Sequence, residues 1–167
     1  MGEVAFLTFL SRFIGDVGAA IAAQRGEIYK YIGDEVIATW PLAAGIKHAR
    51  SIRACFDAME SLAAHDAEYQ RDFGRRPRFR AALHCGPVVV GELGSIRLEV
   101  ALIGESMNIA ARIEEACRDT GQDVLASAAL IDRIAALPPG VAKRSLGPVK
   151  LRGTATELEL FALTRDR

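Results

Sequence analysis

What this 167-residue sequence lacks narrows it first. Its 21 basic and 21 acidic side chains cancel, so no global field draws it to nucleic acid or to an anionic membrane, and any anion site must be local. Cysteine is scarce. Cys55, Cys85 and Cys117 are an odd number, far apart and in apolar surroundings, which fits buried thiols in a reducing compartment better than a disulfide framework. The expected location is therefore the cytosol, whether the domain stands alone or belongs to a larger or membrane-attached protein. No uninterrupted apolar run approaches the ~20 residues of a membrane helix, and no basic stretch followed by an apolar block marks a leader. Repeats, linkers and low-complexity tracts are missing. The glycine-rich phosphate loops of dinucleotide-binding and ATPase folds are absent too, because Gly86, Gly91 and Gly94 lie between and within predicted strands instead of opening a helix.

What is present suits one domain, since half of the residues are apolar and can bury a core without disulfides or a structural metal. Leu7, Leu10, Ile14, Val17 and Ile21 recur at helical spacing and predict an amphipathic helix starting almost at Met1. Two β-rich segments, 27–32 and 35–40, flank Gly33-Asp34, a two-residue turn that predicts a tight hairpin. Pro41 ends the second strand. Ile52, Cys55, Phe56, Met59 and Leu62 place one long helix over 46–73, and Gly74 to Pro77 breaks it. Segments 78–85 and 88–93 around Gly86-Pro87 read as a second hairpin. A strand over 98–103 leads through Gly104 into a helix over 106–117. A strand near 124–126, a helix near 128–135 and strands near 148–151 and 158–163 follow. Strands joined first by a hairpin and then by helices predict an α+β sandwich with a largely antiparallel sheet covered by helices.

Taken singly, the candidate chemical groups are ordinary. Asp34 at a hairpin tip offers a hard oxygen ligand of the kind Mg²⁺ prefers, yet Gly-Asp is also a common structural turn. Lys30 lies on the same ribbon, where a lysine usually guards a strand edge. Asn108 and Arg112, four apart on a helix, share a face and can reach one ligand, although the arginine could equally pair with Glu115 or Asp119. His48, His65 and His84 lack zinc spacing and are assigned no catalysis. The run Arg75, Arg76, Arg78 and Arg80 stands near Glu68 and Asp72 and reads as a solvated face.

Together they change character. GEIYKYIGDEVIATW at 26–40, RAALHCGPVVVGELG at 80–94 and IGESMNIAARIE at 103–114 resemble the class III adenylyl and guanylyl cyclases in order, spacing and identity, and GPVKLRG at 147–153 is similar to that family's C-terminal strand. The resemblance implies a ferredoxin-like, palm-type fold and conversion of ATP to 3′,5′-cyclic AMP and pyrophosphate. It implies two Mg²⁺ or Mn²⁺ ions per site in the complete domain, and a head-to-tail homodimer with sites at its interface. Asp34 matches a metal-binding aspartate, Lys30 the adenine-selecting lysine, Asn108 the ribose-orienting residue and Arg112 the one that stabilises the transition state. Arg152 matches a basic residue on the terminal phosphates. An ammonium suits adenine because N1 of adenine accepts a hydrogen bond where guanine presents a donor. Ala101 stands where adenylyl cyclases place an acceptor for the adenine amino group, so base choice falls to Lys30. The family's first strand, bearing the other metal aspartate, has no counterpart before the opening helix, which leads one to expect little or no turnover from these residues alone. Two other readings stay open: a catalytically impaired nucleotide-binding and dimerisation module, and a diguanylate cyclase, whose hairpin motif IGDEV at 32–36 resembles.

Overall fold

The computed structural model describes residues 2–151 and 157–165. Its elements, in chain order, are α1 (Glu3–Ala23), β1 (Glu27–Ile32), β2 (Glu35–Thr39), α2 (Leu42–Ile46), α3 (Arg50–Ala64), α4 (Asp66–Phe73), β3 (Ala81–Leu83), β4 (Val89–Leu93), β5 (Glu99–Ile103), α5 (Glu105–Thr120), β6 (Val124–Ser127), α6 (Ala128–Ile131), β7 (Val141–Lys150) and β8 (Glu157–Arg165). They fall into two compact units, Met1–Phe79 with Ile134–Pro139, and Arg80–Arg133 with Gly140–Arg167. The class is α+β, as the order of helical and alternating segments predicted.

In the first unit the amphipathic stripe of α1 does what its spacing requires. Phe13, Val17, Ala20 and Ile21 are buried with Ala58 and Leu62 of α3 and Tyr69 of α4. Tyr69 is wholly buried, and its hydroxyl donates to Asp16 Oδ2 at 2.7 Å, so the polar tip of the ring is satisfied inside the helix packing. By length and composition alone α1 is apolar enough to cross a membrane. One stripe of it packs into the first unit, and an Arg12–Asp72 ion pair at 2.8 Å ties α1 to α4. The single long helix predicted over 46–73 is segmented: α2 ends at Ile46, a 3-10 turn covers Lys47–Ala49, and the chain bends again at His65 between α3 and α4. The backbone explains the first break, because His48 and Ala49 take left-handed φ values of 56° and 52° that no α-helix contains.

The hairpin β1–β2 is antiparallel, with Ile32 opposite Glu35 and a bulge between Ile28 and Lys30. Gly33 has φ +63°, which the tight turn demands and glycine supplies without steric cost. The ribbon is pinned to α1 by Trp40, whose ring lies so close to Gly26 that a Cβ there would overlap it. Trp40 Nε1 also donates to the Gln24 carbonyl at 3.1 Å.

The second unit holds a four-stranded sheet of order β3-β6-β8-β7 and a separate ribbon, β4–β5. β3 pairs parallel with β6, and every other pairing among the described residues is antiparallel. The core lies between this sheet and α5: Ile113, Ala116 and Cys117 bury against Leu125, Leu160 and Ala162. The second predicted hairpin is corrected here. β3 and β4 do not pair; β4 turns back on β5, Val89 opposite Ile103, while β3 joins β6. Gly86-Pro87 is therefore a change of direction between sheets, because proline cannot donate to a ladder and the strand before it stops at Leu83. β7 begins well before the predicted 148, and α6 is only a turn long.

Candidate active site

Two groups of side chains stand out, one in each unit. On the first ribbon, Lys30 sits in β1 opposite Ile37 and Asp34 occupies the β1–β2 turn; both are exposed. The positive φ of Gly33 is a local feature that the sequence supports, while the bulge at Tyr29 is seen only in the structure, and together they set how this ribbon displays its ammonium and carboxylate. Asp34 offers carboxylate oxygens that fit a hard divalent cation. The described residues contain no group of three or more His, Cys, Asp or Glu side chains that could hold one without further ligands. Mg²⁺ is commonly held by one or two carboxylates together with substrate phosphates, a role a single exposed aspartate can fill.

In the second unit, α5 carries Asn108 and Arg112 on one face. Its apolar face turns Ile113 and Cys117 into the core, and at about 100° per residue Asn108 and Arg112 fall on the flank away from it. Asn108 is exposed and Arg112 half-buried. Neither Glu115 nor Asp119 holds the arginine: among the described residues no carboxylate pairs with it, whereas its neighbour Arg118 does reach Glu114, at 3.4 Å. Ala101 lies in β5 opposite Gly91, half-buried and without a side-chain acceptor. Arg152 lies outside the described residues.

Polar groups to which sequence reasoning assigned no role lie beside α5. His84 Nδ1 is 2.8 Å from Ser127 Oγ, and the Ser106 hydroxyl donates to the Pro87 carbonyl at 2.8 Å. Burial, with a smaller contribution from the charge of Arg133, holds the His84 imidazole below its ordinary pKa. Cys117 is buried and its thiol is pushed up to about 11, mainly by desolvation, so it is a packing residue and not a nucleophile. A signal for Ser106 was visible in the motif, a serine two residues after the glycine that opens the helix. The backbone carbonyl it bonds was not, because Pro87 lies 19 residues earlier.

The chain as a whole is similar to known proteins. Residues 3–165 match the model of the adenylate and guanylate cyclase catalytic domain. Adenylate cyclase 2 of Rhizobium meliloti (strain 1021) is 32% identical over 163 residues, covering 98% of this chain and 45% of the relative. Adenylate cyclase 1 of the same organism is 32% identical over 159 residues, covering 93% of this chain and 23% of that protein. The chain thus spans less than half the length of these relatives. Among solved structures, a bacterial light-regulated adenylyl cyclase superposes with a TM-score of 0.79 at 21% identity, over 98% of this chain and 46% of the other. That likeness establishes the palm-type fold the motifs led one to expect.

Proposed function

This chain belongs to the adenylate and guanylate cyclase catalytic-domain family, and from that premise we propose that it converts ATP to 3′,5′-cyclic AMP and pyrophosphate, in the cytosol, as a head-to-tail homodimer. The observation that carries the reading is the solvent-side flank of α5, where Asn108 and Arg112 stand together and Arg112 is committed to no carboxylate among the described residues. A guanidinium left available in this way can meet charge that develops on a ligand.

The reaction needs little covalent chemistry from protein. The ribose 3′-oxygen loses its proton and forms a bond to the α-phosphorus, while the bond from that phosphorus to the bridging oxygen breaks and pyrophosphate departs. Lys30 donates to N1 of adenine and selects the base. Asn108 orients the ribose so that its 3′-oxygen lies in line, and Arg112 neutralises charge gathering on the α-phosphoryl oxygens. Asp34 would ligate Mg²⁺ or Mn²⁺, two such ions serving each complete site; when bound, they neutralise phosphate charge and acidify the attacking hydroxyl. In the dimer Asp34 would serve one site, and Lys30, Asn108 and Arg112 the other. Arg152 would reach the terminal phosphates.

The β4–β5 ribbon supports a dimer. Successive strand residues point to opposite faces, yet Val89 and Val90 are 68% and 64% exposed, so both faces of the ribbon carry uncovered apolar surface. An isolated two-stranded ribbon of this kind is marginal, and a second copy would cover it.

Ala101 favours one other reading, a module that binds nucleotide without turning it over. Incubation with ATP and Mn²⁺, followed by separation of products, decides between them. Catalysis predicts cyclic AMP and pyrophosphate in equal amounts, and Arg112→Ala should cut kcat by about 10²- to 10³-fold. Saturable binding of a non-cleavable ATP analogue with no product would favour the module.

A further inference from the structure

Three of the side chains in the described core are polar, and two of them, Ser106 and Ser127, flank the segment 84–87. His84 Nδ1 meets Ser127 Oγ at 2.8 Å at the end of β6. The Cys85 thiol donates to the Ala129 carbonyl at 3.0 Å in α6. The Pro87 carbonyl then accepts from Ser106 Oγ at 2.8 Å in the first turn of α5. The segment is thus tied at one end to the sheet and at the other to the helix that carries Asn108 and Arg112.

Steric clearance repeats the message. A Cβ at Gly86 would overlap Ser106 Oγ and approach His84 Nε2 to 3.3 Å. A Cβ at Gly104, which opens α5 at φ +155°, would stand 3.1 Å from the Pro87 carbonyl oxygen. Each glycine makes room for the other segment, so the motifs HCGP and IGES meet over a single carbonyl. Gly104 offers no side-chain cap, and the Ser106 hydroxyl makes a polar side-chain contact in the first turn of the helix. At about 100° per residue, Asn108 and Arg112 lie about 200° and 240° round the helix from Ser106. Any rotation of α5 about its axis at Ser106 would turn the flank that holds them by the same angle.

We propose that Ser106 is a positioning residue: its bond to the Pro87 carbonyl sets the rotation and start of α5 and so aims Asn108 and Arg112 at the nucleotide. The catalytic consequence rests on the cyclase reading above; the mechanical one does not.

The test compares the wild-type chain with Ser106→Ala and Ser106→Thr, measuring kcat and KM for Mn²⁺–ATP together with amide hydrogen exchange. Removing the hydroxyl should lower kcat about ten- to a hundredfold, as small misplacements of reacting groups do, while KM shifts by less than about threefold. Threonine, which retains the hydroxyl, should recover kcat to within about threefold of wild type. Exchange should quicken at residues 105–109 in the alanine variant, with β6 and β8 unchanged, and return to normal in the threonine variant. Wild-type kcat in Ser106→Ala, or a threonine variant as slow as the alanine one, overturns the proposal. Should wild type make no cyclic nucleotide, the exchange data alone judge the lock: acceleration confined to 105–109 upholds it, and unchanged exchange refutes it.

Discussion

At the scale of single residues, environment separates side chains that look alike in the sequence. His84 is one of three histidines with no metal spacing, yet it is half-buried against Ser127, and burial followed by Arg133 holds its pKa below 6.5. The sign of the consequence follows from proton uptake. Below pH 6.5 the unfolded chain takes up a proton at this histidine while the folded chain resists it, so unfolding is drawn forward as acid is added. His84 therefore supports the fold above that pH and loses its contribution as pH falls through it. The unfolding midpoint of wild type should drop more steeply from pH 7 to pH 5 than that of His84→Gln, followed by circular dichroism; parallel curves would contradict this. Base choice is also a residue-scale matter. Lys30→Ala should lower kcat/KM for ATP about ten- to a hundredfold, the worth of a charged hydrogen bond, and leave GTP nearly unchanged. Ala101→Thr, which restores an acceptor opposite Gly91, should raise the ratio of ATP to GTP turnover. Both are read by supplying the two nucleotides in competition.

At the scale of elements, the ribbon that bears Lys30 and Asp34 depends on a contact at its base. Gly26 leaves the space that the Trp40 ring fills, and Ile21 of α1 closes it from the other side. Gly26→Ala forces a methyl group into that packing and should cost about 1–3 kcal/mol, as overpacking typically does. Trp40 is the only tryptophan, so urea unfolding followed by its fluorescence reports the change directly; an unaltered midpoint would mean that the ribbon yields freely. Most elements were legible in the sequence because their signals are local. The 3.6-residue stripe of α1, the Gly33-Asp34 turn and the helix after Gly104 depend on neighbours within a few positions. Failures came where the deciding partner was remote. Periodicity ran unbroken through 46–73 because it does not register the left-handed backbone at His48 and Ala49. The alternation in 78–93 suggested one hairpin, but β3 gains its partner from β6, more than 40 residues on, and β4 from β5.

At the scale of the whole molecule, the proposed assembly makes a prediction that no single chain can satisfy. If Asp34 acts in one site and Arg112 in the other, Asp34→Ala and Arg112→Ala are each inactive alone, yet a mixed dimer contains one intact site. Equal mixing with free subunit exchange should recover roughly a quarter of wild-type activity, since about half of the dimers are mixed and each has one working site of two. Failure to recover activity, with exchange shown by size-exclusion chromatography of a tagged copy, would place both residues in the same site. By itself the sequence determined the class of fold and the family, because three motifs in register specify backbone turns and helix faces that local chemistry dictates. It also named Lys30, Asp34, Asn108 and Arg112. Tertiary structure alone decided that β3 lies parallel to β6, that Arg112 is left without a carboxylate by Glu115 and Asp119, and that Ser106 reaches the Pro87 carbonyl. The reason is physical. Local propensity acts over one turn of helix or one hairpin, whereas strand partners and buried hydrogen bonds are chosen by which distant surfaces bury together best, and that choice is made only when the chain has folded.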